Sequence, residues 1–73
     1  MPYNPMVVAH RLKVLRAEAS MTQEDLSRAS GVSAASIVKY ESGAMVPTLG
    51  NAFRMAEALG CSPNDLCGWS DAR

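Results

Sequence analysis

The chain has 73 residues, 48% of them hydrophobic, with seven acidic side chains balancing seven lysines and arginines. A chain this short makes a single domain over residues 1–73, and its fold buries only about 60% of the surface the unfolded chain exposes. The longest unbroken apolar run, Met6 to Ala9, is far below the roughly 20 residues of a membrane span, and the neutral balance gives no electrostatic argument for a nucleic-acid partner. Met1-Pro2-Tyr3-Asn4-Pro5 lacks the basic region and apolar stretch of a signal peptide, so the expected compartment is the cytoplasm. Cys61 and Cys67 are too few and too close for a disulfide scaffold and are expected to remain thiols in that reducing compartment.

Taken in chain order, Asn4-Pro5 reads as an N-cap followed by proline at the first helical position, where its missing N–H costs nothing. Val8, Leu12, Leu15 and Ala19 recur at helical spacing and predict one buried stripe on a helix running to about Ala19. Thr22 as N-cap, Asp25 in a capping-box variant and a Met21–Leu26 staple start a second helix at Gln23, which Gly31 ends. Ser33 caps a third helix, Val32 and Ile37 repeat the staple spacing, and Gly43 closes it. Pro47-Thr48 opens a fourth, with Leu49, Phe53, Ala56 and Leu59 near one face and Gly60 as its stop. Ser62-Pro63 opens a fifth, with Asp65 in the capping position and Cys61 stapled over Leu66. Five short helices with short links predict an all-α bundle.

Helices two and three are separated only by Gly31-Val32-Ser33, a link short enough to hold them at a steep angle. Leu26, Val32, Ile37 and Tyr40 are spaced to pack the pair together and onto helix one, leaving the outer face of helix three free to enter a major groove. Thr22-Gln23-Glu24-Asp25-Leu26, Gly31-Val32-Ser33, Tyr40-Glu41-Ser42-Gly43, Pro47-Thr48 and Ala56-Glu57-Ala58-Leu59-Gly60 together resemble the Cro and phage-repressor (XRE-like) helix-turn-helix family over roughly residues 6 to 68. The resemblance implies a five-helix, lambda-repressor-like DNA-binding domain with its helix-turn-helix unit at about residues 22–42. It further implies a transcriptional regulator of the repressing kind, whose helix 33–42 reads the major groove of double-stranded DNA and which pairs as a homodimer. Carried over residue by residue, it places Gln23 beside a backbone phosphate at the start of helix two. Ala34, Ala35 and Lys39 fall on base-reading positions, with Thr22, Ser33 and Ser36 completing the DNA-contacting set. Arg16 and Glu41 match a structural ion pair that ties the recognition helix to helix one.

Several features depart from that pattern. The loop Gly43-Ala44-Met45-Val46-Pro47 carries no charge where many relatives place lysine or arginine, which predicts a shallow salt dependence and low non-specific affinity. Ser27 and Ser30 stand where the family more often has an apolar residue, and Val38 is an apolar residue on the expected outer face. Leu66 and Trp69, with Met45 and Met55 as neighbours, are core residues or, if exposed, a dimer surface. His10 has no partner histidine and the two cysteines supply two ligands at most, so no metal site is expected, and so small a core offers no evident pocket for a cofactor or small-molecule ligand. Without a nucleophile beside a base or a glycine-rich phosphate loop, an enzyme is not expected either. The competing reading from another class is a helix-turn-helix fold used as a protein-interaction module or an antitoxin, favoured by the neutral charge and the apolar Ala34, Ala35, Val38 face.

Overall fold

Residues 4–68, which the computed structural model describes, form five helices: α1 (Pro5–Glu18), α2 (Gln23–Ser30), α3 (Ala34–Ser42), α4 (Leu49–Leu59) and α5 (Pro63–Cys67). Each starts at a polar side chain that accepts an otherwise unpaired N–H of the first turn: Asn4, Thr22, Ser33, Thr48 and Ser62. Thr22–Asp25 and Ser62–Asp65 are full capping boxes, the aspartate accepting in return from the backbone N–H of the cap. Gly31, Gly43, Gly60 and Gly68 end α2 to α5 in the left-handed conformation.

α1 ends differently. Ser20, at φ 58°, takes the left-handed position that glycine takes elsewhere, while its N–H donates to the Ala17 carbonyl and that of Met21 to Arg16. This is the Schellman arrangement built on a serine, and no sequence signal marks it. It turns the chain sharply enough that α2 begins four residues after Ala19.

Each helix contributes one large side chain with less than 2% exposure to a common core: Leu12, Leu26, Ile37, Met55 and Leu66. Val32, Tyr40 and Ala56 complete it. α1 packs on α3 and α5, α2 on α3 and α4, and α4 on α5. Burying side chains of this size contributes about 1.5–3 kcal/mol each, so the core is economical and every member counts.

The buried face of α4 is not the expected one. Leu49 is 73% and Phe53 56% exposed, while Met55 and Ala56 are buried and Ala52 and Leu59 half-buried. The inward stripe is therefore Ala52, Met55, Ala56, Leu59, again at helical spacing, and its alanines let α4 approach its neighbours closely. Apolar residues surround enough of α4 that periodicity alone admits either arc. Leu66 and Met55 belong to the core, Met45 is exposed, and Trp69 lies outside the described residues. No described helix is long and apolar enough to cross a membrane.

Candidate nucleic-acid interface

The turn between α2 and α3 is held from inside by the two serines that depart from the family pattern. Ser30 Oγ donates to the Leu26 carbonyl at 2.6 Å and accepts from the Val32 N–H at 3.1 Å, while Ser27 Oγ donates to the Val32 carbonyl at 2.6 Å. Both polar groups of the Val32 backbone are thus satisfied while its side chain plugs the core at 3% exposure. Gly31 makes the bend at φ 79°. These serines are part of the hinge that sets the angle between the helices, where the sequence alone marks them only as departures from the family pattern.

α3 sorts cleanly by face. Ile37, Tyr40 and Glu41 point inward and are buried, whereas Ala35, Val38, Lys39 and Ser42 are exposed. Ala34 and Ser36 are half-buried at the flank. Of the expected reading positions, Ala35 and Lys39 therefore stand on the open face and Ala34 at its edge. Ser33 caps the helix, accepting from the Ser36 N–H at 3.1 Å and donating to Ser36 Oγ at 2.9 Å. Lysine is the only charge on this face. The alanines and Val38 offer methyl groups, which suit contact with the thymine methyl more than with a donor or acceptor edge.

The scaffold grips α3 through its last turn. Glu41, 5% exposed, accepts from Arg16 Nε at 2.7 Å and Arg16 Nη2 at 3.0 Å, a two-pronged pair between α3 and α1. Arg16 Nη1 also donates to the Met21 carbonyl at 2.8 Å, in the turn that Ser20 shapes. The Glu41 carboxylate and desolvation act in opposite directions on Arg16, and hydrogen bonding to Glu41 dominates, raising its pKa. Gln23 joins the same group: its Nε2 donates to Glu41 Oε1 at 3.1 Å. The structure thus brings Arg16, Gln23 and Glu41 together at the mouth of α2, a convergence that residue spacings of 7 and 18 positions do not reveal.

At the neighbouring rim, Thr22 is exposed, its Oγ1 accepting from the Asp25 N–H at 3.0 Å and its own N–H donating to Asp25 Oδ2 at 3.0 Å. Donation from the Thr22 N–H, then its hydroxyl and Arg28, holds the Asp25 carboxyl below its ordinary range. Beyond α3, the Tyr40 hydroxyl accepts from Asn51 Nδ2 at 2.9 Å, and Asn51 Oδ1 accepts from Arg54 Nη1 at 3.1 Å, linking α3 to the start of α4. The uncharged loop between them exposes Met45 and Val46. Among the described residues, no three His, Cys, Asp or Glu side chains are grouped to hold a metal. Burial pushes the Cys61 thiol above its ordinary pKa, as expected of a cysteine used for packing.

Known proteins resemble this chain in sequence and fold. The transcriptional repressor RstR of the cryptic phage CTXphi in Vibrio cholerae is 38% identical over 63 residues, which is 86% of this chain and 56% of that repressor. An uncharacterized helix-turn-helix-type transcriptional regulator of Methanocaldococcus jannaschii is 37% identical over 62 residues, 85% of this chain and 94% of that protein. The crystal structure of the P22 c2 repressor in complex with a synthetic operator superposes with a TM-score of 0.79 at 27% identity, covering 86% of this chain and 96% of that one. This chain thus spans about half the length of one of these relatives and nearly all of the others. The helix-turn-helix family model matches residues 12–66, from the first core leucine of α1 to that of α5, and the chain belongs to the helix-turn-helix family.

Proposed function

We propose that this protein is a sequence-specific DNA-binding transcriptional regulator of the repressing kind, with α3 as the helix that enters the major groove. The observation that carries this reading is the division of α3. Its inner side is fixed by Ile37, Tyr40 and the Glu41–Arg16 pair, while Ala35, Val38 and Lys39 stand in water beside the capped start of α2. A helix held on one side and bare on the other suits insertion into a groove. Lys39 supplies the one cationic donor for a guanine edge or a phosphate, and Ala34 and Ala35 supply apolar contact. Thr22, Gln23, Ser33 and Ser36 line the approach and serve as neutral donors to phosphate oxygens.

The chain acts as one domain in the cytoplasm and works as a two-fold dimer, each α3 entering one of two half-sites about 34 Å apart on the same face of the duplex. Support for self-association comes from Met45, Val46, Leu49 and Phe53, all at least 41% exposed and confined to one nine-residue segment. An apolar group of this kind on so small a domain is seldom left in water. Bound over a promoter, such a dimer blocks polymerase. The test is selection of a randomised duplex pool by the purified protein at low salt, with Lys39→Ala and Gln23→Ala in parallel. Enrichment of a palindrome that both substitutions weaken is the expected result. No enrichment at low salt overturns the reading in favour of a protein-interaction module.

A further inference from the structure

We propose that Glu41 is a positioning residue for DNA binding, because its buried carboxylate, clamped by Arg16, holds the Gln23 amide so that the second N–H of that amide is presented to a phosphate. The inference rests on the DNA-binding reading above and adds to it a reason why an electrically neutral protein grips a polyanion.

Glu41 is 5% exposed, so its oxygens depend on protein donors. Oε2 accepts from Arg16 Nε, and Oε1 accepts from both Arg16 Nη2 and Gln23 Nε2, at 2.7, 3.0 and 3.1 Å. Arg16 is itself pinned at its other end to the Met21 carbonyl at 2.8 Å, immediately before α2. The carboxylate thus sits in a fixed frame made of α1, the turn after it and α3, and the Gln23 side chain is fastened to that frame. A glutamine side-chain nitrogen carries two hydrogens. One is used on Glu41, and among the described residues the other meets no acceptor. Gln23 is the first residue of α2, where backbone N–H groups also face outward.

Two consequences follow from the chemistry. A free glutamine samples many rotamers, and a donor that must be ordered on binding loses affinity to that ordering, so fastening it in advance strengthens the contact. The negative charge of Glu41 would repel a nearby phosphate if it stood alone, but Arg16 neutralises it through two hydrogen bonds, so the frame orients without repelling. With seven acidic and seven basic residues there is little net charge to attract DNA, and preorganised neutral donors take on a correspondingly larger share.

The experiment is a double-mutant cycle on binding to the operator selected from the pool, joined to thermal melts. Arg16→Met with Glu41→Leu replaces the ion pair by apolar groups of similar size, a change that buried pairs often tolerate with little loss of stability. On the unsubstituted scaffold, Gln23→Ala is expected to weaken binding about tenfold with the melting temperature nearly unchanged; on the Arg16→Met/Glu41→Leu scaffold the same substitution is expected to cost less than about twofold. Equal losses on both scaffolds overturn the proposal while leaving Gln23 as a DNA contact. A Gln23→Ala effect on melting but not on binding also overturns it, since Gln23 would then serve only the fold. Absence of binding by the unsubstituted protein removes the DNA reading itself and the proposal with it. Should the apolar scaffold fail to fold, side-chain amide exchange in the free wild-type protein decides: one Gln23 amide proton protected supports the frame, and rapid exchange of both refutes it.

Discussion

The side chain on which most of the architecture converges is Glu41. It is buried, it is charged, and its partners come from α1 and the first residue of α2. Arg16→Ala leaves that buried carboxylate with the Gln23 amide as its one remaining donor among the described residues, and breaking a buried pair in this way costs about 3 kcal/mol or more. A 73-residue domain has only about 4–10 kcal/mol in total, so Arg16→Ala is expected to lower the melting temperature by more than about 10 °C in a calorimetric scan. Acid acts on the capping boxes. Asp25 and Asp65 each accept from the backbone N–H of their cap, which lowers their pKa from the ordinary 3.8. A carboxylate whose folded pKa is depressed adds stability that is complete above its unfolded pKa and disappears as pH falls through the folded value. Melting temperatures are therefore expected to decline from about pH 4 downward, and the Asp25→Asn/Asp65→Asn double variant is expected to flatten that decline. An unchanged slope would show that the capping boxes are not its source.

At the scale of helices and turns, most boundaries follow from contacts within four residues. Asn4, Thr22, Ser33, Thr48 and Ser62 are all legible as caps because the side chain and the N–H it accepts lie two or three positions apart. The exception is the end of α1, where Ser20 carries φ 58° without being glycine. A left-handed residue with a Cβ is strained by roughly 1 kcal/mol. Ser20→Gly is therefore expected to stabilise the protein by about 0.5–1 kcal/mol, read as a higher urea midpoint at unchanged slope. A lower midpoint would mean that the serine contributes more to the turn than its strain costs. Ser27 and Ser30 show the opposite case, departures from the family pattern that complete the hydrogen bonding of the turn before α3.

For the molecule as a whole, the absence of net charge and the apolar segment Met45 to Phe53 set how it meets its partners. Each phosphate neutralised by a cation adds about 0.9 to the slope of log affinity against log salt. With Lys39 alone on the outer face of α3 and no charge in the following loop, the slope is expected to be no steeper than about −4 for the dimer. Titration of operator binding between low and moderate salt checks this, and a much steeper slope would place unrecognised cations at the interface. Leu49→Ser with Phe53→Ser removes the two most exposed large apolar side chains of α4 without touching its buried stripe. Sedimentation is expected to show these substitutions shifting the protein to monomer while circular dichroism stays unchanged. A persistent dimer would put the interface elsewhere.

The local grammar is legible in the order of residues: five capped helices, the glycine that bends α2 into α3, and the inward spacing of Leu12, Leu26, Ile37 and Tyr40. Such features depend on residues a turn or less apart, so their energetics are complete in the string of side chains. Resemblance to the Cro and phage-repressor family supplied the pairing of Arg16 with Glu41, which no local spacing carries. Which arc of α4 is buried depends on long-range packing, because alternative apolar arcs differ by less than a turn and the neighbours α2 and α5 select between them. The same packing brings Gln23 onto Glu41, since a hydrogen bond across 18 positions exists only once α2 and α3 have taken their angle.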